Sequence, residues 1–285
     1  MQNFVFLAVL FAALCHAGWN ALIKTGLDPL RATTVIALGA VAVALPLLLI
    51  SGLPDAAAWP WLVASMAVHV FYFAGLIEAY RAGDLSQVYP IARGAAPLMT
   101  ATAATVFVGE HLSALGWAGI AVLAAGVLLL SARGGSGFGN LDRGAVGFAL
   151  FTAVTICAYS VVDGIGVRLS GNAAGYTLAL FVGNGVMLVL YALAREGLGV
   201  LQPMPHLWRR ALAGGAMQVM SYGIALWAMT LAPIAIVATL RETSVLFGAV
   251  IAVVMLKERL RAVRVVAAAL IVCGATGSGK STQLP

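Results

Sequence analysis

The sequence predicts an all-α membrane protein: ten transmembrane helices arranged as two inverted five-helix repeats. Three observations carry that expectation. Hydrophobic residues fill 62% of the 285 positions and charged residues only 9%, whereas a soluble domain needs about 25% charged residues to cover its surface. The apolar residues fall in runs of about 20, the length at which a helix crosses hydrocarbon. One stretch also recurs. Residues 81–112 (RAGDLSQVYPIARGAAPLMTATAATVFVGEHL) align, 148 positions on, with residues 229–260 (MTLAPIAIVATLRETSVLFGAVIAVVMLKERL). In that register Val88 meets Ile236, Arg93 meets Arg241, Glu110 meets Glu258 and Leu112 meets Leu260.

Taken in order, the apolar windows place spans at residues 4–23, 33–50, 59–80, 85–108, 115–131, 144–167, 173–194, 207–230, 233–256 and 263–275. The first has no Lys or Arg before its apolar core and no small-x-small site after it, so it reads as a retained helix rather than a removable signal. Pro46 in the second span, and Pro90, Gly94 and Pro97 in the fourth, are expected to interrupt their helices, since proline frees the carbonyl four residues back. The Gly-rich, charged segment 132–143 divides the chain into a first repeat, 1–131, and a second, 144–275. The tenth span holds only about a dozen apolar residues, roughly 18 Å of helix against a ~30 Å core.

The repeat extends beyond the aligned stretch. Gly75 and Leu76 fall on Gly223 and Ile224, and Gly126 falls on Gly274. At an offset of 144, Lys24, Thr33 and Gly39 meet Arg168, Thr177 and Gly183. Five spans per copy is odd, so the copies must lie antiparallel in the bilayer. Of the sixteen Lys and Arg, twelve lie in or beside the connections 1–2, 3–4, 5–6, 7–8 and 9–10, and only Arg168 and Lys280 on the other side. The positive-inside rule then puts both termini outside. The net charge of +6 comes from single residues in short loops, which excludes a nucleic-acid stripe.

Cys15, Cys157 and Cys273 lie within apolar runs without metal-ligand spacing and read as packing residues, so no metal site is expected. The polar tail, 276–285, completes a G-x-x-x-x-G-K-S string over 274–281. A phosphate loop joins a strand to a helix. Here a membrane span precedes it and four residues follow, so the match carries no nucleotide site.

The candidate site residues are the polar groups that hydrocarbon would not tolerate. His16, Asn20 and Lys24 fall at i, i+4 and i+8, one stripe along the first helix. Lys24 snorkels to the interface, while His16 and Asn20 serve either a wet cavity or interhelical hydrogen bonding. Arg93 and Arg241 lie about 12 Å into their spans. A guanidinium there costs ~2.5–3.5 kcal/mol on insertion scales. They either grip a carboxylate or phosphate-like group of a solute or form ion pairs with Glu242, Asp163 or Glu78. Those three carboxylates are also the candidates for proton coupling, with Glu242, the deepest, first. Asn184, Gln218, Ser221 and Tyr222 add neutral hydrogen-bonding groups.

The runs HAGWNALIK (16–24), YRAGDLSQVYPIARGAAPL (80–98) and ATLRETSVLFGAVIAVVMLKERL (238–260) resemble the EamA-type branch of the drug/metabolite transporter superfamily. The resemblance covers residues 4–274. It implies an inner-membrane, multi-pass secondary transporter that exports or exchanges small polar metabolites, amino-acid-like or anionic, by alternating access. His16, Asn20, Arg93, Asp163, Tyr222, Arg241 and Glu242 are then the candidate solute-binding set. It implies no bound cofactor and no enzymatic activity. The expected partners are a small-molecule solute, the lipid bilayer and protons as coupling ion, with a monomer or homodimer as the unit and no nucleic acid. The tail after Gly274 departs from the family pattern, and so does the charge count, because many members have cytoplasmic termini. The alternative is a non-transporting structural or sensory membrane protein, in which every buried charge is paired and no cavity exists.

Overall fold

A computed structural model describes residues 2–23, 28–82, 85–132, 143–202 and 204–256, with single helical positions near the end at 266, 269–270 and 273–274. The described residues are helical, with no strand among them. The helices are α1 (Asn3–Ile23), α2 (Pro29–Ser51), α3 (Trp59–Ala82), α4 (Leu85–Ala103), α5 (Ala114–Ala132), α6 (Arg143–Arg168), α7 (Ala173–Glu196), α8 (Met204–Met229), α9 (Ile234–Arg241) and α10 (Ser244–Leu256). Seven segments among the described residues are long and apolar enough to cross a membrane. The expected tenth span, the dividing segment, the tail, Lys24 and the side chain of Glu78 lie largely or wholly outside the described residues.

Local chemistry accounts for several ends. Asp28 opens α2 by accepting from the Leu30 amide at 2.9 Å, with Pro29 at the first helical position, where its missing N–H goes unmissed. Asn172 opens α7 in the same way through the Gly175 amide, also at 2.9 Å.

Two sequence expectations are corrected. The prolines do not interrupt their helices: α2 runs through Pro46, and α4 runs through Pro90, Gly94 and Pro97. A proline removes one backbone bond, whereas ending the helix in hydrocarbon would strand several polar groups at once. The break comes instead in the expected ninth span, at Glu242–Thr243, where no proline or glycine stands. There the amides of Glu242, Thr243, Val245 and Leu246 each bond the carbonyl three residues back, at 2.9–3.1 Å. Thr243 Oγ1 also donates to the Leu240 carbonyl at 2.7 Å. A hydroxyl that bonds a nearby carbonyl competes with the α-helical ladder, and the turn tightens.

Helix α1 packs on α8, α2 on both α7 and α8, and α4 on α5 and α6, while α3 packs on α6. The α2–α8 contact is backbone to backbone. A Cβ on Gly39 would stand 1.8 Å from the Ala211 carbonyl oxygen, and one on Gly215 would stand 2.2 Å from the Ala40 nitrogen. Small residues are what allow helices to approach this closely in lipid. Gly39→Val is therefore expected to lose 1–3 kcal/mol or more, of order the usual overpacking cost, read as a lower melting temperature in detergent. Gly18→Ala, whose Cβ meets only the flexible sulfur of Met217 at 3.0 Å, serves as the tolerated control. Equal melting of both variants would refute the close approach.

A cationic cavity at the centre of the bundle

Consecutive spans run in opposite directions, so α1, α3, α5 and α7 finish at the end of the bundle where α2, α4, α6 and α8 begin. That end carries the basic connections and is called the basic end below; the other is the far end. A cavity of about 140 Å³ occupies the half nearer the basic end. Its walls come from the later part of α1 (His16, Asn20), the early part of α2 (Thr33, Ala37), α3 (His69, Tyr72, Phe73), α7 (Phe181, Asn184) and α8 (Gln218, Tyr222), with Arg93 and Arg241 at its head. Cavities of about this size admit a benzene ring.

The two repeat-related arginines stand in different electrostatic states. Arg93 Nε lies 2.7 Å from Glu242 Oε2, an ion pair whose N–H is not aimed along the line of the contact. Its Nη2 donates to Ser244 Oγ at 2.8 Å. Arg241 lies with its guanidinium carbon 4.6 Å from the centroid of the Tyr222 ring, and its buried Nε has no hydrogen-bond partner. The break after α9 explains how both contacts arise, because it sets Arg241, Glu242 and Ser244 on a tight turn at the middle of the bundle. The aligned position for Glu242 in the first repeat is Gly94, and a Cβ there would strike the Leu128 side chain at 2.6 Å. One carboxylate thus serves two guanidiniums, and it goes to the one from the other repeat.

Beyond Tyr222, Asp163 is fully buried. Its two carboxyl oxygens accept from the Tyr176 hydroxyl at 2.9 Å and the Tyr222 hydroxyl at 2.5 Å. Tyr222 therefore faces Arg241 with its ring and Asp163 with its hydroxyl. Near the basic end of α1, Asn20 Nδ2 donates to the His16 carbonyl at 2.8 Å, and Trp19 Nε1 donates to His16 Nδ1 at 3.4 Å. That second contact makes Nδ1 the acceptor and puts the imidazole proton on Nε2.

Of the sequence-derived set, His16, Asn20, Arg93, Tyr222 and Arg241 line one cavity, while Asp163 and Glu242 stand behind it. His69, Tyr72, Phe73, Tyr159 and Phe181 were not anticipated. The His69 ring stacks on Tyr159 with centroids 4.3 Å apart, and Tyr72 and Tyr222 meet Tyr159 edge-on at 5.6 and 6.0 Å. One signal was available: Tyr159 precedes Asp163 by four residues and so shares its helix face.

The far end is closed by polar contacts between connections. Helix α4 ends in a π turn, Ala104–Val108, and the left-handed Gly109 (φ 74°) then turns the chain so that Glu110 faces α9. Glu110 accepts from the Ile234 and Ala235 amides at 2.7 and 3.2 Å and pairs with Arg168 Nη2 at 2.9 Å. A carboxylate at a helix N-terminus also meets the positive end of the helix dipole. Arg168 further donates to the carbonyls of Met229 and Ala232 at 2.8 and 3.1 Å. Alongside, the Asp55 amide donates to the Ser170 carbonyl at 2.9 Å, and Asn172 Nδ2 donates to the Ser51 carbonyl at 2.8 Å.

Comparison with known proteins agrees with this architecture. Residues 3–132 match the EamA-like transporter family, so this part of the chain is similar to that family. With the seven segments among the described residues that are long and apolar enough to cross a membrane, the match supports a multi-pass membrane transporter. No curated protein matches the chain. A solved structure described only as "Crystal structure of protein" superposes on 97% of this chain and 95% of its own, with a TM-score of 0.76 at 18% identity. That likeness is one of fold, and it spans both halves.

Cysteine substitution tests the cavity. With Cys15, Cys157 and Cys273 replaced by alanine, cysteines at Asn20 and Asn184 should react with a membrane-impermeant thiol reagent applied at the basic face. A cysteine at the fully buried Ala235 should not. Protection at both cavity positions would mean that the cavity has no aqueous path from that face.

Proposed function

We propose that the chain is a ten-helix secondary transporter of the inner membrane that exports or exchanges a small polar solute, two inverted five-helix units rocking about the central cavity. The observation that carries this reading is the inequality of interfaces that the repeat makes equivalent. Advancing each helix by five turns the α1–α8 pairing into α6–α3, and both are extensive. It turns α4–α6 into the contact of α9 and α10 with α1, which is also present. The same operation turns α2–α8 into α7–α3. Yet α2 and α8 touch through their backbones, while α3 and α7 meet over a much thinner surface. A repeat whose mirror-related interfaces differ is in one of two states, and exchanging them is alternating access.

By the positive-inside rule the basic end faces the cytoplasm, so this state presents the cavity to the cytoplasm with the far end latched. The break between α9 and α10 supports the same reading, because transporter sites are commonly built where a membrane helix is discontinuous. A purely structural or sensory bundle would fill its centre and pair each buried charge; the cavity and the orphan Nε of Arg241 weigh against it. We assign the coupling proton to Asp163 ahead of Glu242. Glu242 has a permanently charged guanidinium beside it, whereas Asp163 is held by hydroxyls with the His69 imidazole as the basic group acting on it, and a buried carboxylate without a permanent counter-cation is the costlier to keep ionised.

The latch can be tested without knowing the solute. Arg168→Ala is expected to raise the reactivity of a cysteine at Ala235 several-fold toward an impermeant thiol reagent applied at the far face. Unchanged protection would count against a gate there. For the coupling step, Asp163→Asn should abolish solute-driven proton movement in proteoliposomes loaded with a pH-sensitive dye, while Glu242→Gln retains it. The opposite pattern returns the role to Glu242.

A further inference from the structure

The charges around the cavity point to the kind of solute it holds. Among the described lining residues there are two guanidiniums, two imidazoles and no carboxylate. Glu242 pairs with Arg93 at 2.7 Å beside a smaller void that both line with Thr100, Ser160 and Arg241. Asp163 lies behind the Tyr222 ring with both oxygens taken by phenol hydroxyls. That leaves Arg241, which is 8% exposed and lines the cavity, with its Nε unpartnered and no ion pair to a described carboxylate. The Tyr222 face compensates it in part, since a desolvated cation–π contact contributes about 2 kcal/mol. It offers no acceptor for the guanidinium hydrogens. Five flat rings, Tyr72, Phe73, Tyr159, Phe181 and Tyr222, share the remaining wall with aliphatic and neutral polar side chains such as Leu188 and Gln218.

We propose that the cavity binds an organic monoanion with a planar apolar body, its carboxylate seated on Arg241, and that it discriminates against zwitterions and cations of the same shape. A carboxylate supplies the planar, two-oxygen acceptor that matches a guanidinium fork. Its charge balances the one positive charge left after Arg93 and Glu242 cancel. An ammonium group would meet the opposite situation: like charge at the head of the cavity and no lining carboxylate to receive it. Asn184, whose Oδ1 is buried without a partner, adds a neutral polar contact that can hydrogen-bond a solute but cannot balance an ammonium charge. This assignment rests on the transport reading only in taking the cavity as the solute site, and it narrows that reading from amino-acid-like or anionic solutes to anionic ones.

Three probes of nearly one shape, benzoate, benzamide and benzamidine, and the longer phenylglycine separate the possibilities on the purified full chain in nanodiscs, being in turn anion, neutral, cation and zwitterion. Benzoate should bind at least tenfold more tightly than each of the other three. Arg241→Gln should remove that preference, and Arg241→Lys should keep part of it. Should Arg241→Gln fail to fold, protection of a cysteine at Asn184, with Arg241 intact and Cys15, Cys157 and Cys273 replaced by alanine, gives the same reading, with benzoate slowing its labelling and benzamidine not. Benzamidine or phenylglycine binding as tightly as benzoate would overturn the assignment. So would undiminished benzoate preference in Arg241→Gln, or no binding by any of the four. None of these outcomes affects the transport reading, whose gate test, the opening of the far end, involves no ligand.

Discussion

A guanidinium in hydrocarbon needs a counter-charge, acceptors or water, and this bundle is arranged around two of them. Placing one mid-membrane costs ~2.5–3.5 kcal/mol on insertion scales, and the two are met differently. Arg93 has Glu242 and Ser244. Arg241 has the face of Tyr222, a desolvated cation–π contact that contributes about 2 kcal/mol or more. Packing apolar side chains against its other edge would remove its access to water without supplying an acceptor.

The helix break and the far-end latch both follow from groups that compete for backbone partners. At Glu242–Thr243 the chain leaves the α-helical ladder for bonds three residues back, aided by the Thr243 hydroxyl. This aims Glu242 at Arg93 and leaves Arg241 toward the cavity. At the end of α4 the π turn and left-handed Gly109 bring Glu110 to the amides at the start of α9. Glu110 thus ties the first repeat to the second through the start of α9 and through Arg168.

Tyr222 links these regions. Its ring carries Arg241 and its hydroxyl holds Asp163, so a solute that draws the guanidinium away from the ring also disturbs the partner of the buried acid. Tyr176 on α7 holds the other oxygen of the same carboxyl group. Arg241, Tyr222 and Asp163 therefore form a continuous chain of contacts that Tyr176 extends to α7.

The sequence by itself determined the class, most of the spans and the two arginines, because these rest on local quantities: apolar run length, charge per loop and a self-similar stretch at a fixed offset. It also identified Asp163, Glu242 and Tyr222, since a polar group in an apolar run is conspicuous. It did not reveal which carboxylate serves which arginine. Nor did it reveal the aromatic wall of His69, Tyr72 and Tyr159, as rings in a membrane span look like ordinary packing until neighbouring helices bring them face to face. The prolines were read as breaks because local propensity says so, yet the bilayer keeps a helix closed through a single lost bond. The tertiary structure alone decided that Glu242 reaches across to Arg93 and that Arg241 lies over the Tyr222 ring, with no ion pair to a described carboxylate. A charge pairs with what lies within a few ångströms of it, and residues 149 positions apart come that close only after the helices have packed.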